Sequence, residues 1–164
     1  MARALGFVAP LLTRLLIGQA FFLTGRGKSE NLEGVTSFFA DLGIPFPELN
    51  AFFVAHLEYF GGIALILGLL TRLAATGLAT TMVVALMTAD RANFLTALAS
   101  SGDVGLTDVV PVVYLLFLIW LMLYGPGPVS VDALISRRLG FGDTRDSTAD
   151  KAETSSIDKT AARA

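Results

Sequence analysis

Cysteine is missing from this chain of 164 residues, and histidine occurs once. Without thiols the chain has no material for a disulfide, an iron–sulfur cluster, a thiolate zinc site or a thiol redox relay. Its one histidine, His56, also excludes a haem held by two histidines of this chain. Charged residues make up only 16% of the chain and the net charge is −2, which gives no attraction for nucleic acid. We therefore expect no metal or haem within this chain and no nucleic-acid partner.

Apolar residues, in contrast, make up 54% of the chain and are concentrated in four long blocks. A transmembrane helix needs about 20 predominantly apolar residues, and each block approaches that length. The blocks run roughly from Leu5 or Pro10 to Thr24, from Leu49 to Leu70, from Leu73 to Ala89 and from Thr107 to Tyr124. The pattern predicts an all-α fold, an integral membrane four-helix bundle. Arg14 interrupts the first block, which favours a membrane helix there over a cleaved signal peptide.

The connection between the first two blocks has its own helical pattern. Apolar residues recur at helical spacing, and they are Leu32, Val35, Phe38, Phe39 and Leu42. Asn31 is a suitable N-cap and Gly43 a suitable stop. We expect a short amphipathic helix between helices 1 and 2, lying in the interface or against the bundle. An ordered loop with apolar anchors is the alternative.

Later segments set the remaining boundaries. The short link from Leu70 to Leu73 predicts an antiparallel hairpin of the second and third helices. The turn-rich GPGPVSVD stretch, residues 125–132, ends the fourth helix, and an apolar stripe after it predicts a surface-lying helix. Residues 1–140 are thus expected to form the four-helix domain, and residues 141–164 a disordered polar tail.

The distribution of lysine and arginine predicts the orientation in the membrane. Both are most frequent on the side that carries both termini, which predicts cytoplasmic termini.

Ionisable residues inside the apolar blocks are the candidates for function. Arg14 and Lys28 fall on one face of the first helix together with Gly18 and Gly25, since they are spaced at about 100° per residue. Glycines on such a face let a second helix approach closely. Glu58 is the acid that lies well inside a block, so we expect Arg14 to pair with it, with Lys28 as a rival nearer the outer end.

Two interpretations of this pair stay open. It either fixes the register of two helices or lines a polar pocket in the membrane that handles a ligand or a proton. No catalytic residue is assigned. The candidate pocket residues are Arg14, Gly18, Gly25, Lys28, Glu58, Tyr59 and Gly62.

Four segments carry a family resemblance. They are RLLIGQAFFLTGRGK (residues 14–28), FFADLGIPFPELNAF (38–52), EYFGGIALILGLLTRLAA (58–75) and GPGPVSVD (125–132). In this order and spacing the chain resembles the DoxX family, small bacterial and archaeal proteins with four transmembrane helices, over about residues 10–134. Thr24 stands where family members often have a histidine, and Asp108 where many have a glutamate. A role that depends on that histidine is therefore not expected here.

The resemblance implies a membrane subunit of a quinone-linked oxidoreductase, or of a complex that manages redox and sulfur stress. It implies a quinone cofactor, a protein partner and a place in the plasma membrane of a prokaryote. Because the chain offers few residues for a redox centre, we do not expect it to be an enzyme alone. The alternatives are a non-catalytic membrane anchor or assembly factor, and a small transporter.

Overall fold

The computed structural model describes residues 8–99, 105–125, 127 and 129–138, and over these residues the regular structure is helical throughout. Its helices are α1 (Val8–Glu30), α2 (Leu32–Asp41), α3 (Pro47–Leu67), α4 (Thr71–Met87), α5 (Arg91–Leu98), α6 (Val110–Tyr124) and α7 (Val131–Arg138). All four predicted membrane blocks are helices, so the predicted all-α class is confirmed. The expected tail, residues 141–164, lies outside the described residues.

The four apolar helices differ in length. Within the described residues, α1 with 23 residues and α3 with 21 are each long and apolar enough to cross a membrane. Helix α4 satisfies the same criterion only together with α5, and the two are bent by 82°. Helix α6 has 15 residues, which is about 22 Å at 1.5 Å per residue, short of a hydrocarbon core of about 30 Å. Two of the four predicted spans thus have full length. Helix α4 has the length of its predicted block but is too short to count as a span alone, and α6 begins three residues later than predicted.

Helices α1 and α3 form the most extensive helix pair, and α4 and α6 form the second; the α3–α4 hairpin joins the two pairs. Buried apolar side chains from all four helices meet between them. This core comprises Ile17, Phe21, Leu65, Ala75, Leu78, Met82, Leu118 and Leu121. Outside it, many large apolar side chains are exposed, Leu16, Phe60, Leu73 and Leu123 among them. A surface of that kind fits lipid rather than water, so the chain is a multi-pass membrane protein in contact with the bilayer.

Glycines bring α1 and α3 into backbone contact. A Cβ atom on Gly25 would overlap the backbone of Tyr59, and one on Gly62 would overlap the backbone nitrogen of Phe22. A Cβ on Gly18 would lie 2.9 Å from the carbonyl oxygen of Gly62. Since later residues of α1 face earlier residues of α3, the two helices run antiparallel. Small residues in membrane helices allow this approach, and here they fix the register.

The short elements confirm several sequence predictions. Helix α2 begins after Asn31, whose side chain accepts a hydrogen bond from the Gly34 N–H at 3.2 Å. It ends near Gly43, which has a φ of +70°, a conformation that favours glycine. Helix α2 packs mainly on α3, so the amphipathic helix is confirmed and the loop alternative is not. Helix α7 begins at Val131, in the last residues of the GPGPVSVD segment, where the apolar stripe predicted a helix.

We expect Gly25→Ala to lower the free energy of unfolding by about 1–3 kcal/mol. The added methyl group must push two helix backbones apart, and overpacking of this kind typically costs about 1–3 kcal/mol. Thermal unfolding of the purified protein in detergent measures the change.

Gly27→Ala is the matched control on the same helix, because a Cβ there would meet no atom of the described residues within 4 Å. Alanine favours a helix over glycine by about 1 kcal/mol, so this variant should be neutral or slightly more stable. Equal stability of the two variants would contradict the close contact.

Candidate functional site

An ion pair with a buried carboxylate joins α1 and α3. Lys28 Nζ lies 2.6 Å from Glu58 Oε1. The Glu58 side chain is only 2% exposed, whereas that of Lys28 is 32% exposed. Glu58 lies near the middle of α3, and Lys28 lies in the last turn of α1. A charge this deep in an apolar helix bundle needs a partner. Lys28 reaches the Glu58 carboxylate from the last turn of α1.

The predicted pairing of Arg14 with Glu58 is wrong, and the rival partner, Lys28, is the correct one. The helix register explains why. Close contact of Gly25 with Tyr59 places Lys28 beside Glu58, while Arg14 lies level with Leu65. Leu65 is seven residues beyond Glu58, or about 10 Å along the helix axis, which is too far for a direct ion pair.

Arg14 instead binds the carboxyl end of α3. Its Nε donates to the Leu65 carbonyl oxygen at 3.2 Å, and its Nη2 lies 3.5 Å from the Ile66 carbonyl oxygen. Its Nη1 donates to the carbonyl oxygen of Val129 at 2.9 Å. The last carbonyl groups of a helix have no partners within the helix, and a cation there also complements the helix dipole. Arg14 thus caps α3 and ties it to the GPGPVSVD segment.

Asp132 caps the amino end of α4. Its two carboxylate oxygens accept hydrogen bonds from the N–H groups of Leu70 at 2.8 Å and Thr71 at 3.1 Å. The Asp132 N–H donates to the Gly68 carbonyl oxygen at 3.1 Å. Leu70 has a φ of +47°, a left-handed conformation that is strained for leucine. Asp132 therefore holds a strained turn while its negative charge complements the start of α4, and it interacts electrostatically with Arg14.

A cavity of about 480 Å³ lies beside the Lys28–Glu58 pair, between α2, α3 and α4. Its walls are mainly apolar, with the ion pair as the charged feature. Lining residues include Val35, Phe38, Phe39, Leu42, Phe53, Val54, Leu57, Thr80, Thr81 and Ala85. This combination of apolar walls, aromatic side chains and a few polar groups is typical of small-molecule sites.

The predicted pocket residues therefore divide into three places. Lys28 and Glu58 lie together at the cavity. Gly18, Gly25 and Gly62 lie in the contact of α1 with α3, and Tyr59 packs there against Phe22 at a ring distance of 5.1 Å. Arg14 lies at the other end of α3. His56 lies apart from all of them, where its Nδ1 donates to the Phe52 carbonyl oxygen at 2.8 Å.

Neither the cavity walls from α2 and α4 nor the capping role of Asp132 was predicted from the sequence. The α2 pattern carried a signal, because Val35, Phe38, Phe39 and Leu42 were identified as one apolar face. The wall from α4 left no signal in the sequence, since Thr80, Thr81 and Ala85 are residues that any membrane helix could contain.

The site thus belongs to an all-α membrane protein with ionisable groups buried between its helices. A family model of DoxX proteins matches residues 9–91, about half of the chain, so the chain belongs to the DoxX family. The match includes Arg14, Lys28 and Glu58, whereas Asp132 lies beyond it.

One curated relative is "Putative oxidoreductase CatD" of Bacillus subtilis (strain 168). It is 33% identical to this chain over 81 residues, which make up 49% of this chain and 59% of that protein. The chain therefore covers less than two thirds of the relative's length. No solved structure matches the chain.

We expect Lys28→Met to lower the free energy of unfolding by about 2–3 kcal/mol, because it leaves a buried carboxylate without its cation. The double variant Lys28→Met, Glu58→Gln should recover about 1–2 kcal/mol of that loss, since it removes both charges. Unfolding in detergent of the two single variants and the double variant measures the coupling. If the change in the free energy of unfolding of the double variant equalled the sum of the two single changes, Lys28 and Glu58 would not interact.

For Arg14→Met we expect a loss of about 2–3 kcal/mol in the free energy of unfolding, because buried carbonyl oxygens lose a charged donor. Arg26→Met on the same helix is the control. Arg26 pairs with Glu30 at 2.8 Å, but both side chains are more than 60% exposed, and exposed pairs contribute about 0–1 kcal/mol. Equally small effects of the two substitutions would contradict the capping role of Arg14.

Proposed function

We propose that this chain is a quinone-binding membrane subunit of an oxidoreductase or redox-stress complex in the plasma membrane of a prokaryote, with both termini in the cytoplasm. The observation that carries the proposal is the cavity of about 480 Å³ that is apolar along its walls and ends at the Lys28–Glu58 pair. The family relationship and the name of the Bacillus relative support a redox role without specifying the ligand.

The cavity fits the chemistry of a quinone. Its volume lies within the range of about 300–1,000 Å³ of ordinary ligand pockets, and Phe38, Phe39 and Phe53 supply aromatic surface. Lys28 Nζ carries N–H donors for a carbonyl oxygen. The second carboxylate oxygen of Glu58 is buried and accepts no hydrogen bond from the residues that the structure describes. A quinone carbonyl oxygen can accept a hydrogen bond from Lys28, and a hydroxyl group of the reduced ring can donate one to Glu58.

The rim of the cavity favours entry from the bilayer. Phe38, Phe53 and Val84 line the cavity and are also largely exposed. On a membrane protein, exposed apolar side chains around an opening present no barrier to a lipid-soluble molecule. Helix α2 lies over the cavity by packing on α3, so that its apolar face forms part of the wall.

A bound quinone would supply an acceptor for two electrons and two protons. The residues of this chain would bind and orient it: Lys28 donates a hydrogen bond at the polar end, and Glu58 offers an oxygen that can hold or release a proton. The apolar walls exclude water. The electrons must come from a partner, because the chain contains no cysteine and one histidine. The partner we propose is an oxidoreductase that carries its own redox centre.

We expect the protein purified from membranes in mild detergent to retain quinone, which lipid extraction and chromatography detect. Ala85→Phe should reduce the retained quinone at least tenfold, because Ala85 is half-buried in the cavity wall on α4 and a phenyl ring there would occupy the space of the ligand.

Thr76→Phe is the matched control, since it adds the same ring to the exposed side of α4 at a residue that does not line the cavity. It should retain quinone as the wild type does. If the wild type retains no quinone while its complex with a partner stays active, the chain is an anchor and the proposal is wrong.

A further inference from the structure

The carboxylate of Glu58 uses one oxygen and leaves the other available. Oε1 accepts a hydrogen bond from Lys28 Nζ at 2.6 Å. Oε2 is buried and accepts none from any residue in the described part of the chain. The side chain is 2% exposed and lines the cavity. A buried acceptor without a donor is costly, so the cavity demands a hydrogen-bond donor at this point.

The hydroxyl groups of the cavity wall do not meet this demand. Thr80 donates its hydroxyl hydrogen to the Thr76 carbonyl oxygen at 3.0 Å, and Thr81 donates to that of Leu78 at 2.7 Å. Thr88 donates to the Val84 carbonyl oxygen at 2.8 Å. Each hydroxyl has a single hydrogen, and all three are directed to the backbone of α4. The Asn50 amide, which also lines the cavity, donates to the Pro45 carbonyl oxygen at 2.6 Å. A ligand can therefore supply the donor that Glu58 Oε2 does not receive from the described residues.

We propose that the cavity selects the reduced, hydroxyl-bearing form of its ligand, the quinol, through a hydrogen bond from the quinol O–H to Glu58 Oε2. This inference rests on the proposed quinone site. A quinol oxygen can donate to Oε2 and accept from Lys28 Nζ at the same time. A quinone oxygen can only accept, so it can bond to Lys28 Nζ but not to Glu58 Oε2. Its remaining lone pair then faces the lone pairs of Oε2, which is unfavourable.

The preference has a consequence for electron transfer. A neutral donor bonded to a charged acceptor typically strengthens binding by tenfold or more. Reduction of a quinone takes up two electrons, which the partner oxidoreductase supplies, and two protons. For a two-electron couple, a tenfold preference for the reduced form raises the midpoint potential by about 30 mV. The site would thus make the ligand a better electron acceptor than it is in the bilayer.

Binding measured in the full-length protein in detergent, without oxygen, tests the inference. The probes are a short-tailed benzoquinol, the matching benzoquinone, and the dimethyl ether of the quinol, which has the same ring and tail but no O–H. We expect the quinol to bind about tenfold more tightly than the quinone. The dimethyl ether should bind no more tightly than the quinone, because it cannot donate.

Glu58→Gln should abolish the preference for the quinol. Lysine can only donate, so the carbonyl oxygen of the new amide faces Lys28 and its NH₂ group faces the cavity. That group donates to a quinone carbonyl, and the quinone should then bind at least as tightly as the quinol. Glu48→Gln is the control, since Glu48 is exposed in the first turn of α3 and does not line the cavity; it should keep the wild-type preference.

The outcomes separate the two proposals. Equal binding of quinol and quinone by the wild type, or tighter binding of quinone, overturns the selection by Glu58 and leaves the quinone site standing. Binding of none of the three probes overturns the site itself. The comparison of the three probes needs only the wild type, so it decides the matter even if Glu58→Gln does not fold.

Discussion

The backbone contact between α1 and α3 is the constraint on which the remaining features depend. Gly25 and Gly62 have no room for a side chain, so the two helices cannot slide past each other without a collision. This register places Lys28 beside Glu58 and Arg14 beside the carboxyl end of α3. Buried Arg14 and half-buried Lys28 thus both find partners, because the glycines between them set the register of the two helices. The attraction of the charges adds to a register that packing has already selected.

The two charged ends of this contact differ in how completely their groups are bonded. At one end, Arg14 donates to the carbonyl oxygens of Leu65, Ile66 and Val129 among its described neighbours, and Asp132 accepts from the backbone N–H groups of Leu70 and Thr71. That arrangement closes the α3–α4 turn and is a structural device. At the other end, Glu58 lies against a cavity with one oxygen that no described residue bonds. This open acceptor is the difference between the Lys28–Glu58 end of the contact and the end at Arg14 and Asp132.

Sequence reasoning identified the helices, the glycine face of α1 and the three intramembrane charges, because each leaves a periodic or compositional signal. It paired Arg14 with Glu58 because helical periodicity gives the direction of a side chain but not the offset between two helices. That offset depends on which glycines touch, and several registers would have suited the same pattern. The capping role of Asp132 was invisible for a similar reason, since it depends on a contact between residues about 60 positions apart.

The position of the cavity follows from the same register. Because Gly25 faces Tyr59 and α1 ends at Glu30, the first turns of α3 extend beyond α1 and lack its cover. The amphipathic α2 packs there instead, but a ten-residue helix with no fully buried side chain fills the gap only in part. The cavity remains between α2, α3 and α4, and the last turn of α1 delivers Lys28 to its inner end. The cavity thus arises where the first turns of α3 extend beyond the end of α1, and the Lys28–Glu58 pair lies where the close packing of the two helices stops.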